Sequence, residues 1–160
     1  MEAIVFDFDG VIIDSLDEWC IVALKTFEEI GHRLKNRNYG DIFRNIRPFV
    51  RHADDSYIAL RIIEEDGNFS EEKLKEMRKE LESEAKKFHE LFYIQRALLQ
   101  KQDMEKWFAL HSSYSGMTEA IKKLSKNYDI FIATAKDRNA TIKLLKKFDL
   151  KIDENHIITK

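Results

Sequence analysis

Asp7 and Asp9 stand two residues apart at the end of a short apolar run, Ala3-Ile4-Val5-Phe6, with Gly10 directly after them. Along a strand, side chains two residues apart point the same way, so both carboxylates reach one side. Two like charges at a strand end repel and lose hydration, which is tolerated where a cation or anionic chemistry uses them. A divalent cation there would keep Asp7 ionised and shield its approach to an already anionic phosphate. Asp9 could then protonate a departing oxygen and later take a proton from water, roles that the spacing alone does not assign. Gly10 lacks a Cβ and lets the backbone approach a phosphate closely. An acidic turn after a strand has the same short signature, so Asp-x-Asp alone does not decide.

A second apolar run, Ile130-Phe131-Ile132-Ala133, ends in Thr134-Ala135-Lys136. A hydroxyl at a strand end can donate to a phosphoryl oxygen, and a lysine beside it can neutralise charge there. Arg44, Arg47 and Arg51, near Asn45 and Pro48, are candidates for an anionic substrate tail, Arg47 and Arg51 foremost. His32, His52, His89, His111 and His156 follow no ligand spacing, and His89-Glu90 lacks the second histidine of a zinc helix. Cys20 sits in an apolar helical stripe and reads as a small core hydrophobe.

These groups need strands to carry them. Ala3–Phe6, Ile130–Ala133 and the weaker His156–Thr159 are short apolar runs of the kind buried on both faces of a parallel sheet. Helical patterns over Thr118–Lys126 and Arg138–Phe148 fall between them, which argues for a parallel α/β sheet. The expected order places the first strand beside the second and the second beside the third. A strand–helix–strand crossover takes about 30 residues, yet Asp9 and Asp129 lie roughly 120 apart. A helical domain is therefore inserted, expected over 16–111, with the sheet domain formed by 1–15 and 112–160.

Within the insert, Ser15-Leu16-Asp17-Glu18 has the pattern of a capping box. Leu16, Trp19, Cys20, Ala23, Leu24, Phe27 and Ile30 follow at helical spacing until Gly31. An irregular stretch surrounds Arg47-Pro48, then a helix covers Tyr57–Glu65. Ser70 starts a long helix whose Leu74, Met77, Leu81, Phe88 and Leu91 form a heptad-like stripe. The stripe suits packing within the insert against Trp19, Cys20, Leu24 and Phe27, or a homodimer through these helices.

The 160 residues are 44% hydrophobic and 11% aromatic, enough for a packed core. Charged residues reach 35% yet nearly cancel to a formal −2, which gives no reason to expect nucleic acid or a membrane surface as partner. One cysteine excludes an internal disulfide, and no apolar run approaches a membrane span, so the expected compartment is the cytoplasm.

The string Phe6-Asp7-Phe8-Asp9-Gly10-Val11-Ile12-Ile13-Asp14-Ser15 closely resembles the first motif of the haloacid dehalogenase superfamily, in the branch of phosphoglycolate phosphatase and β-phosphoglucomutase. Tyr114-Ser115-Gly116-Met117 resembles that family's return from cap to core, and Ile132-Ala133-Thr134-Ala135-Lys136-Asp137 its second motif. The resemblance covers about residues 3–15 and 112–160; the cap matches in position and helical character only. It implies a parallel Rossmann-like core with an inserted all-helical cap that closes over the site. It also implies an aspartyl-phosphate on Asp7, acid/base work by Asp9, and Mg²⁺ held by the Asp7 carboxylate and the Asp9 backbone carbonyl. Gly10, Thr134, Ala135 and Lys136 would bind phosphate.

The family's third-motif lysine and fourth-motif acidic pair, which completes the Mg²⁺ site, are expected beyond Lys160; Lys160 itself follows a strand too closely to be counted as that lysine. The chain thus reads as the N-terminal part of a longer protein, with an incomplete core and the first strand left at an apolar sheet edge. The expected function is hydrolysis of a small phosphorylated metabolite, phosphoglycolate-like. A sugar-phosphate mutase would use the same residues. Halide removal is disfavoured, because the dehalogenase branch lacks an acid/base Asp at the Asp9 position. A non-catalytic binding or dimerisation module is the reading from a different class.

Overall fold

The apolar run at the chain start forms β1, Ala3–Phe6. In the computed structural model, which describes residues 2–35 and 38–159, the short strands β2, Ile13–Asp14, and β3, Ser112–Ser113, pair antiparallel. β4, Asp129–Thr134, and β5, Ile157–Thr159, join β1 in a parallel sheet of order β1-β4-β5. The register sets Phe6 opposite Ile132 and Thr134 opposite Thr159. This is the expected sheet. β1 lies at the sheet edge, as the incomplete core implies, and with Val5 59% exposed it is not the doubly buried strand its composition alone suggests.

The chain divides into two compact units, one joining Met1–Ser15 to Phe108–Lys160 and the other comprising Leu16–Trp107. The second boundary lies four residues before the 111/112 junction read from sequence. Phe108 and His111 are tied to the sheet unit, because the carbonyls of both accept from Lys147 Nζ. Lys147 ends α8, Arg138–Lys147, which buries Ala140, Leu144 and Leu145 as the crossover from β4 to β5. α7, Met117–Leu124, precedes β4. Both helices lie within two residues of their sequence-based limits.

The other unit is all-helical among its described residues. α1, Leu16–Glu29, packs its stripe on α3, Ala53–Asp66, and α5, Glu82–Gln102. Phe27, Tyr57, Phe88 and Phe92 are all but fully buried, each burial stabilising by about 1.5–3 kcal/mol. The long helix expected after Ser70 is two: α4, Glu71–Glu80, then α5, with the break at Leu81. No Gly or Pro marks it; Leu81 packs against the core cluster instead. The Arg47-Pro48 stretch read as irregular holds α2, Tyr39–Ile46, and a 3-10 turn, Arg47–Phe49. α6, Met104–Ala109, also went unforeseen.

The capping box is not what Ser15 and Glu18 form. Glu18 is fully buried and both its oxygens accept from Arg96, while the Ser15 hydroxyl donates to Asp9.

Candidate active site

The Asp-Phe-Asp alternation works because Phe8 is fully buried and pins the segment between two outward carboxylates. Beyond it the chain turns sharply. Ile12 and Ile13 N–H both donate to Phe8 O at 3.0 Å, and Gly10 N–H donates to Ile13 O at 2.9 Å. Gly10 adopts φ +83°, a left-handed conformation that residues with a Cβ reach only at a cost.

Asp7, directly after β1, is exposed, and its Oδ1 accepts from the Phe8 N–H at 2.6 Å. Asp9 is half-buried; its Oδ1 accepts from Ser15 Oγ at 2.5 Å and lies 3.3 Å from Lys136 Nζ. Thr134 closes β4, the strand beside β1. The Thr134 Oγ1 accepts from the Lys136 N–H at 3.1 Å, which leaves the hydroxyl proton to donate elsewhere. Ala135 is exposed between them. Asp137 then caps α8 by accepting from the Ala140 N–H at 2.8 Å.

The sheet thus brings the candidates Asp7, Asp9, Gly10, Thr134, Ala135 and Lys136 to the carboxyl ends of two adjacent parallel strands, the usual ligand position of such sheets. The Lys136–Asp9 contact joins the two motifs directly. Lys136 differs from a solvated surface lysine, since its side chain is only 2% exposed. Ser15 was missed as a site residue; its place in the motif string was the available signal, masked by its resemblance to a helix cap.

Arg44, Arg47 and Arg51 belong to the helical unit. Arg44 is exposed and 3.6 Å from Asp41. Arg47 is half-buried, with Nη1 donating to Val50 O at 2.6 Å and the guanidinium 5.3 Å from the Trp19 ring. Arg51 is exposed, its backbone N–H donating to Asp55.

Asp7 and Asp9 supply hard oxygen donors of the kind Mg²⁺ takes. Among the described residues no group of three or more His, Cys, Asp or Glu side chains is arranged to hold a metal, and Lys160 lies outside them. A separate cleft of about 290 Å³, floored by Ile142, Leu145, Leu150 and Ile157, contains none of the site residues.

Over residues 1–160 the sequence matches the family described as haloacid dehalogenase-like hydrolase. The chain belongs to that family. Solved structures of similar fold include a candidate phosphoglycolate phosphatase from Lactobacillus delbrueckii subsp. bulgaricus, at TM-score 0.66 and 17% identity, covering 99% of this chain and 64% of that one. A candidate phosphatase from Clostridium acetobutylicum matches at TM-score 0.59 and 15% identity, covering 99% and 61%. A magnesium-bound haloacid dehalogenase-like hydrolase from Bacillus subtilis matches at 0.52 and 16%, covering 99% and 64%. The chain spans about three-fifths of the length of these haloacid dehalogenase-like proteins. No curated protein matches it.

Proposed function

We propose that the protein carrying this chain is a Mg²⁺-dependent phosphohydrolase that cleaves a small, phosphoglycolate-like phosphate monoester through an aspartyl-phosphate on Asp7. The carrying observation is the Lys136–Asp9 contact, which joins the two strand-end motifs around the exposed Asp7. In this reading an Asp7 carboxylate oxygen attacks phosphorus and the bond to the leaving oxygen breaks as Asp9 gives that oxygen its proton. Asp9 then takes a proton from the water that attacks the phosphorylated Asp7, which frees inorganic phosphate and restores Asp7. The Thr134 hydroxyl, with the Gly10 and Ala135 backbone, receives the phosphoryl group, whose charge is spread in a loose transition state, while Lys136, expected from sequence among the phosphate ligands, faces Asp9 instead.

As the family resemblance implies, the Asp7 carboxylate and the Asp9 backbone carbonyl would hold Mg²⁺, with a third ligand beyond Lys160; a structure of similar fold bound to magnesium is in keeping with a metal here. When bound, the ion supplies charge neutralisation for an anion attacking an anion. Arg47 and Arg51 are the proposed contacts of the substrate tail. The cytoplasm is the proposed compartment, in keeping with the unpaired Cys20; no helix among the described residues is long and apolar enough to cross a membrane. A homodimer through the helical unit would use the outward Tyr93 and Ile94 of α5, since Leu74 and Phe88 of the heptad-like stripe are buried in its own core.

The test is phosphate release from small monoesters by the full-length protein in Mg²⁺. Activity should vanish with Asp7→Asn, and Asp9→Asn should block turnover while leaving Mg²⁺ binding intact. Full turnover by the Asp7→Asn protein would refute the mechanism. A phosphorylated sugar isomer as product, without phosphate release, would identify a mutase.

A further inference from the structure

Asp9 has two carboxylate oxygens, and their surroundings differ. Oδ1 faces two donors, Ser15 Oγ at 2.5 Å and Lys136 Nζ at 3.3 Å. A protonated carboxyl has one O–H, and an oxygen already facing two donors must remain the acceptor. Lys136 is held for this task. Its side chain is 2% exposed, and a buried ammonium is costly unless paired. Its backbone is fixed from both sides, by its own N–H on Thr134 Oγ1 and by Asp137 capping α8.

Resting on the phosphohydrolase reading above, we propose that Lys136 is a positioning residue for Asp9. Together with Ser15 it holds Oδ1, so that Oδ2 is the oxygen that exchanges the proton with the leaving group and with water. Its effect on turnover runs through Asp9 and depends on how much proton the leaving oxygen needs.

The test compares phenyl phosphate with 4-nitrophenyl phosphate, whose leaving group departs without a proton, in the full-length protein with Mg²⁺. Lys136→Met should lower kcat/KM for phenyl phosphate by about 100-fold, the lower range for losing acid catalysis, with a several-fold smaller loss for 4-nitrophenyl phosphate. Lys136→Arg should restore part of the loss, and in single-turnover phosphorylation of Asp7 the Asp9→Asn protein should show the same dependence on leaving group. Inorganic phosphate, as competitive inhibitor, should bind Lys136→Met as it binds the parent. Equal losses for both esters, with phosphate binding weakened by the same factor, would mean that Lys136 acts on the phosphoryl group and would overturn the proposal. If the parent protein releases phosphate from no small monoester, these two included, the phosphohydrolase reading falls on its own. The pairing is then judged by urea unfolding of Asp9→Asn, Lys136→Met and the double variant. Coupling of about tenfold in the unfolding equilibrium constant supports the pair, and strict additivity overturns it.

Discussion

Replacing Arg96 by Met should be among the most destabilising single changes in the helical unit. Arg96 of α5 meets the fully buried Glu18 of α1 in a two-pronged pair, Nε to Oε1 at 2.6 Å and Nη2 to Oε2 at 2.8 Å. Its guanidinium also lies 4.9 Å from the Phe92 ring and 5.5 Å from those of Trp19 and Tyr93. Arg96→Met keeps much of the apolar stem but leaves the Glu18 carboxylate without its cation. Breaking a buried pair from one side costs about 3–5 kcal/mol, and the lost ring contacts add roughly 0.5–2 kcal/mol. At about 4–8 °C per kcal/mol for a small domain, the midpoint of this unit should fall by roughly 12 °C or more. Urea titration and thermal melts followed by circular dichroism measure this. Glu18→Met with Arg96→Met should recover most of the loss, because an apolar pair of similar volume needs no desolvation of charge. A loss below about 1 kcal/mol for Arg96→Met, or a double variant as unstable as the single one, would refute the reasoning.

Three further outcomes follow from single residues. Burial, reinforced by the charge of Asp17 and only partly offset by Arg44, pushes the Cys20 thiol up to about 12. It should therefore resist alkylation by iodoacetamide at pH 8 and react once urea unfolds the chain; rapid labelling of the native protein would contradict its burial. On the proposed phosphohydrolase reading, Thr134→Ala in the full-length protein should lower kcat by about 100-fold, the scale of one lost donor to developing charge, without a matching loss of thermal stability. Asp137→Ala removes the α8 cap and should cost about 1 kcal/mol in urea unfolding; an unchanged midpoint would show the cap to be idle.

The parallel sheet was legible because period and composition are local properties. Ala3–Phe6 and Ile130–Ala133 are apolar, short and partly β-branched, and a helical pattern precedes each later strand. The chemistry at their ends was legible for the same reason: Asp7, Asp9, Gly10 and Thr134 stand where strands stop. The helical unit was legible as helical, but α2, α6 and the break at Leu81 were not, since no Gly or Pro marks that break and packing against the core decides it.

Pairing between residues far apart in the chain belonged to tertiary structure. Lys136 followed its motif as a plausible phosphate ligand, and only the register of β4 beside β1 set its ammonium against Asp9. Ser15 and Glu18 looked like a reciprocal helix cap, a local device. The folded chain instead directs the Ser15 hydroxyl back to Asp9 and turns Glu18 inward to Arg96, which is 78 residues away. Sequence by itself determined which groups stood at the strand ends, because side-chain alternation and the end of an apolar run are written residue by residue. Tertiary structure decided which charge each group faced, because a buried ion needs a partner in space and sequence spacing does not specify that partner.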